Sequence, residues 1–234
     1  MSFKGQTVMI TGAAGNLGQA VSAAFAAAGA NLVLLDLNED ALAKVATAGA
    51  GDVLRRRVDL GDPASIAGAV EAAVARFGRI DALCNLAGGF HMGEKVHEIT
   101  ADKWDFMMEL NAGSVLRMCH AVVPHMLKAG GGRIVNIGAF SALSGKAEMA
   151  AYVASKSAVI RLTESMAAEL RTSHINVNCV LPSIIDTPPN RAAMPKADFS
   201  RWVASEALAD VLLFLCSPAA RAIHGAAIPV VGLS

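Results

Sequence analysis

Charge of either sign is scarce in this chain, and the two signs cancel. Only 17% of the 234 residues are Asp, Glu, Lys or Arg, and twenty bases offset twenty acids. Such a balance lacks the electrostatic footprint of a nucleic-acid or anionic-membrane binder and points to a small-molecule partner. Cysteine is also sparse: Cys84, Cys119, Cys179 and Cys216 are far apart, form no C-x-x-C pair and read as reduced thiols. No metal site is expected. No apolar run reaches the ~18 to 20 residues of a membrane span. The segment from Met1 to Gly18 breaks into glycines after Ile10 and carries no export signal, so a cytoplasmic protein is expected. Aromatics make up 5%, and the chain has a single tyrosine, Tyr152.

What the chain has in quantity is apolar sequence, 54% of the total, enough for one well-buried domain spanning residues 1–234. Short β-branched runs alternate with Ala-rich stretches of helical period. Strands are expected at Thr7–Thr11, Asn31–Asp36, Val53–Asp59, Ile80–Asn85, Arg133–Ile137, Ile175–Leu181 and Ala227–Val231. Helices fit near Leu17–Ala28, Glu39–Ala48, Pro63–Phe77, Ala101–Lys128, Ala150–Arg171 and Arg201–Cys216. Strands that are apolar throughout are buried on both faces. The fold class is therefore α/β, a single doubly wound Rossmann-like domain of about seven parallel strands with helices on both faces. The segment Pro182–Phe199 has no clear period, and long irregular segments at strand ends are usually functional.

Open parallel sheets bind ligands beyond the carboxyl ends of their strands. The first such end carries Thr11-Gly12-Ala13-Ala14-Gly15-Asn16-Leu17-Gly18, a turn whose glycines let a pyrophosphate approach the amides of the next helix. A strand-to-helix turn uses glycine for its own sake too, but this placement favours a dinucleotide. The second strand ends in Asp36, at the spacing of a carboxylate that grips ribose hydroxyls. Asp36 or Asn38 could instead cap the next helix. A carboxylate at 36 repels a 2′-phosphate and Leu37 offers it no cation, so NAD (NADH) is favoured over its phosphorylated form. Tyr152 precedes Lys156 by one helical turn, which puts phenol and ammonium on one face. Such a pair also arises on solvated helix faces. As a functional pair, the cation would lower the phenol from its usual ~10 and fit it for proton transfer.

Together these features resemble the short-chain dehydrogenase/reductase family over the whole chain. Thr11-Gly12 to Gly18 resembles its glycine motif, Asp59-Leu60 its adenine-contacting pair and Asn85-Leu86-Ala87-Gly88 its Asn-Asn-Ala-Gly strand end. The resemblance implies that Asn111 supports a proton-relay water and that Tyr152 and Lys156 are the catalytic pair. It also implies that Pro182, Ile185 and Thr187 belong to the segment holding the nicotinamide carboxamide, and that the protein is a homodimer or homotetramer assembled through two long helices. The chain departs from the family at Asn16, Leu86 and Ser183. Above all, Ala139 stands thirteen residues before Tyr152, where most members keep a substrate-polarising serine. Ser141 is the nearest hydroxyl.

Dihydropteridine reductases of the same superfamily also lack that serine, and the tail from Leu181 to Trp202 resembles theirs. Gly88-Gly89-Phe90 is similar to their Gly-Gly-aromatic turn, where a ring can stack on a flat heterocycle, although Phe90 could equally be a lid residue. The expectation is an NADH-dependent reductase acting on a small organic acceptor, such as a quinonoid dihydropteridine. The alternatives are an ordinary carbonyl reductase or alcohol dehydrogenase, or a non-catalytic dinucleotide-binding protein. His91, Met92, Met149, Met194 and Phe199 are candidate substrate contacts.

Overall fold

The computed structural model describes residues 1–234. Its strands are β1 (Thr7–Thr11), β2 (Asn31–Asp36), β3 (Val53–Arg57), β4 (Ala82–Asn85), β5 (Gly132–Ile137), β6 (Ile175–Pro182), the short β7 (Ile185–Asp186) and β8 (Val203–Ala204), and β9 (Ala227–Val230). Its helices are α1 (Asn16–Ala27), α2 (Glu39–Ala43), α3 (Pro63–Phe77), α4 (Ala101–Met108), α5 (Ser114–Ala129), α6 (Ala150–Leu170), α7 (Pro188–Ala193) and α8 (Ser205–Cys216). One seven-stranded sheet runs in the order β3-β2-β1-β4-β5-β6-β9, with every pair parallel.

Alternate residues of the same strands supply two cores. Met9, Val33, Leu83, Ile134 and Val177 pack against α3, α5 and α6, whereas Val8, Ile10, Leu32, Val135 and Val180 pack against α1 and α8. This explains why the strands are apolar without alternation. The chain passes from β1 outward to β2 and β3, then returns to β4 on the other side. The crevice between the carboxyl ends of β1 and β4 is thus the switch point where such sheets bind ligands.

Local chemistry sets the element ends. In α3 the Asp62 carboxylate accepts the Ala64 N–H at 2.9 Å, Pro63 occupies the first turn, and Gly78 closes the helix with φ 78°. Four expectations need correction. The helix expected over Ala101–Lys128 is interrupted by a π turn at Glu109–Gly113. The one expected over Glu39–Ala48 stops at Ala43. Val203–Ala204 pairs with Ile185–Asp186 instead of beginning the last helix. Finally, α7 lies in the stretch that showed no period, started by the Thr187 cap and Pro188. No helix is long and apolar enough to cross a membrane.

Candidate functional site

A cleft of about 520 Å³ opens at the switch point, lined by Gly12, Gly15, Asp36, Leu37, Asp59, Leu60, Ala87 and Gly88 among others. Eight of the sequence-derived cofactor positions therefore share one cavity. Gly12 needs to be glycine on two counts: its φ is +64°, and a Cβ there would lie 2.9 Å from the Ala87 Cα. At Gly18 a Cβ would lie 2.1 Å from the Gly12 carbonyl oxygen, so the loop and the first turn of α1 close only around a hydrogen. Thr11 Oγ1 accepts the Leu86 and Ala87 N–H groups at 3.1 and 3.2 Å, tying the end of β1 to the chain leaving β4.

Asp36 is held from both sides. Its Oδ2 accepts the Ala14 N–H at 2.9 Å and its Oδ1 accepts the Asn38 N–H at 3.0 Å. Asn38 caps α2 through the Ala41 N–H, which leaves the Asp36 carboxylate aimed at the cleft with lone pairs to spare. Sequence reasoning missed Phe106, Glu109, Leu110, Ser114 and Arg117, which form the opposite wall. Their three-to-four-residue spacing marks one helix face and was the available signal. Arg117, the only cation of the lining, donates to the Glu109 carboxylate and the Leu60 carbonyl, both at 2.6 Å.

Tyr152 and Lys156 lie on α6, and Asn111 lies in the π turn. Asn111 is clamped to Gly89, with Oδ1 accepting its N–H at 3.0 Å and Nδ2 donating to its carbonyl at 3.1 Å. Nδ2 also donates to Ser155 Oγ at 3.0 Å, and that hydroxyl donates to the Tyr152 carbonyl. A Cβ on Gly88 would lie 2.7 Å from Asn111 Oδ1 and 3.1 Å from Lys156 Nζ, so both groups converge on the strand end that lines the cleft. The Phe90 ring meets the Tyr152 ring edge-on at 4.9 Å, an arrangement worth ~0.5–1.5 kcal/mol beyond area burial.

The electrostatics differ from the expectation for this pair. Lys156 Nζ donates to the Ile137 carbonyl at 2.9 Å, with no hydrogen bond to the phenol. Burial lowers this ammonium to about 8 and pushes the Tyr152 phenol up to about 12. In this state Lys156 does not lower the phenol, because desolvation outweighs any attraction from one turn away.

Other predicted positions sort by place. The Asn85 side chain turns inward, donating to Asn136 Oδ1 at 2.9 Å, and so braces the sheet instead of lining the cleft. Asn16 begins α1, and Leu17 packs on the core. The only non-glycine residues with positive φ are Glu148 and His174, so Asn16 needs no left-handed tolerance. Pro182 ends β6, Ile185 lies in β7, and Thr187 Oγ1 accepts the Asn190 N–H at 3.4 Å. None of these three lines the cleft. Ala139 is buried and extended, and Ser141 sits in a 3₁₀ turn over Phe140–Leu143. That turn advances only ~2 Å per residue. His91 pairs with Glu94 at 2.7 Å, and Phe199 packs on Trp202 beneath Arg191.

The family model for short chain dehydrogenases matches residues 6–198. The chain belongs to that family. Among its relatives, D-threitol dehydrogenase of Mycolicibacterium smegmatis is 32% identical, aligned over 97% of this chain and 92% of the relative. The 3-oxoacyl-[acyl-carrier-protein] reductase of Thermotoga maritima is 33% identical over 99% of this chain and 98% of its own. A solved structure of 3-ketoacyl-(acyl-carrier-protein) reductase from Brucella melitensis, complexed with NADH, superposes with TM-score 0.89 at 29% identity, covering 99% of this chain and 98% of that one. This short-chain dehydrogenase is thus an oxidoreductase whose named relatives act on alcohols or carbonyls. The dihydropteridine expectation finds no support among them.

Proposed function

We propose that the protein interconverts an alcohol and a carbonyl on a small substrate using NAD(H), with Tyr152 giving its proton to the carbonyl oxygen in the reductive direction. The observation that carries this reading is the convergence of Asn111 and Lys156 on Gly88, one turn of α6 from the phenol and next to a cleft that begins at Asp36. The residues present fit a dinucleotide: at Gly12 and Gly18 added side chains would collide with backbone, Asp36 keeps carboxylate lone pairs to spare beside Leu37, and the cleft's one cation, Arg117, is engaged by Glu109 and Leu60. When bound, the cofactor supplies the hydride.

In this reading Gly12, Gly15 and the first turn of α1, from Asn16 to Gly18, hold the pyrophosphate, and Asp36 with Leu37 holds the adenosine ribose. Asp59 and Leu60 flank the adenine. Ala87, Gly88 and Lys156 meet the second ribose, with Asn85 bracing that strand end, and Pro182, Ile185 and Thr187 border the nicotinamide. A phenol that burial holds near 12 keeps its proton at neutral pH, the state a general acid needs. Asn111, fixed by Gly89 and Ser155, orients the relay that returns the proton. The exposed Leu116 and Leu127 of α5 support the expected homodimer or homotetramer. Four buried thiols suit a reducing cytoplasm.

Replacing Tyr152 with Phe tests the proposal. It should lower kcat by ~10²–10⁴ on any alcohol or ketone that the wild type turns over, while NADH titration shows unchanged affinity. Undiminished turnover would mean that the proton comes from another group.

A further inference from the structure

The amino end of the sheet, opposite the cofactor cleft, holds a second cavity of about 270 Å³, lined by Gln6, Arg79, Asp81, Arg133, His174 and Cys216 among others. Cys216 ends α8, and its sulfur lies 3.9 Å from that of Cys84 on β4, in van der Waals contact across the core. The two thiols are not equivalent. Both are buried, but Cys216, 4% exposed, lines the cavity and Cys84 does not. Arg133 lines the same cavity, and its Nε is buried without a hydrogen-bond partner. A cavity that holds an unpartnered guanidinium nitrogen is a setting in which a thiol can react. The contact with Cys216, and then burial, hold Cys84 in its protonated form.

We propose that Cys84 and Cys216 are an oxidisable pair that a small hydroperoxide, entering through this cavity, converts to a disulfide. The Cys216 sulfur, giving up its proton, attacks a peroxide oxygen, the O–O bond breaks, and a sulfenic acid forms with release of an alcohol or water. The Cys84 sulfur, giving up its proton, then attacks the sulfenic sulfur and displaces water. Two thiols lose two electrons in all, and the peroxide gains them. The remaining cysteines have no such arrangement: burial pushes Cys119 up to about 12 and Cys179 up to about 11, and neither lines the cavity.

Cys84 is followed directly by Asn85 and then by Leu86–Gly88, which line the cofactor cleft, so drawing the two sulfurs into a bond displaces the strand that carries those residues. The consequence is weaker dinucleotide binding in the oxidised protein. This part rests on the NAD(H) reading. The cross-link does not.

The experiment treats the whole protein with hydrogen peroxide, alkylates the remaining thiols under denaturing conditions and maps peptides by mass spectrometry. The expected result is a Cys84–Cys216 peptide lacking two hydrogens, with Cys119 and Cys179 alkylated and the link reversed by dithiothreitol. In Cys84→Ser the Cys216 sulfenic acid should accumulate and be captured by dimedone, and Cys216→Ser should form no cross-link. Over-oxidation of Cys216 with Cys84 still free, or no thiol loss at all, would overturn the pairing. NADH affinity should fall severalfold in oxidised wild type and stay constant in peroxide-treated Cys84→Ser. Equal affinity of the reduced and cross-linked proteins would overturn the coupling to the cleft, and failure of the reduced protein to bind NADH would overturn the cofactor reading while leaving the mapped cross-link standing.

Discussion

The two halves of the site are built differently. The half assigned to adenosine is a walled cleft whose shape comes from backbone: glycines that admit no Cβ, a threonine that ties two strand ends together, and an aspartate fixed by two N–H groups. The half containing Tyr152 lies outside that cavity and depends on side chains carried by loops and by one interrupted helix: Phe90, Asn111, and the turn at Phe140–Leu143. Backbone requirements tolerate few substitutions. The departures in the rigid half, Asn16 and Leu86, leave its glycines and Asp36 in place, whereas Ala139 in the other half removes a functional hydroxyl. On the proposed reading, the rigid half fixes the class of cofactor and the adaptable half selects the substrate.

If this division holds, damage to the rigid half should be the most severe. Gly18→Ala forces a Cβ against the Gly12 carbonyl, and both partners are backbone with no rotamer to escape into. NADH affinity should fall by about a hundredfold, ~2.7 kcal/mol, while circular dichroism still reports a folded α/β protein. Wild-type affinity would show that the loop is not the phosphate cradle. In the adaptable half a gain should be possible. Ala139→Ser supplies a hydroxyl where most of the family keeps one and, on the proposed reading, should raise the rate of ketone reduction by about tenfold, less than the ~10²–10³ that removing a donor costs in an optimised site. No gain, together with loss of activity in Ser141→Ala, would assign the second donor to the 3₁₀ turn.

The smallest effect concerns selection within the cofactor class. Wild type should bind NADH at least about tenfold more tightly than NADPH, ~1.4 kcal/mol, and Asp36→Ala with Leu37→Arg should narrow or reverse that ratio. Equal affinities in the wild type would remove Asp36 as the selector. Arg117, the one cation of the cleft, is engaged by Glu109 and Leu60, so it offers a 2′-phosphate little.

The same contrast explains what the sequence disclosed. The seven parallel strands, the glycine turn, Asp36 and the Tyr152–Lys156 face were legible because each follows from spacing and a residue type that the backbone demands. The π turn at Glu109–Gly113 was not, since one extra residue in a helical turn leaves the surrounding periodicity nearly intact. Helix α7 was hidden by Pro188-Pro189, although Thr187 and the proline after it form a helix-start signal. The pairing of Val203–Ala204 with Ile185–Asp186 is purely tertiary, and so is the inward turn of Asn85 toward Asn136. The phenol's environment could not be read from spacing either: one turn of helix places Lys156 on the same face, but the nearby Ile137 carbonyl takes its proton donor.

The central claim is that a dinucleotide held by the rigid half acts on the acid in the adaptable half, and the single tyrosine makes this directly measurable. Tyrosinate absorbance reports Tyr152 alone. At pH ~10, where a free tyrosine is half ionised, the ligand-free protein should show almost no tyrosinate, because burial holds the phenol near 12. Saturating NAD, whose nicotinamide is cationic, should favour the phenolate and make tyrosinate appear at that pH. If saturating NAD leaves the tyrosinate signal unchanged, the two halves do not share one cofactor and the account is wrong.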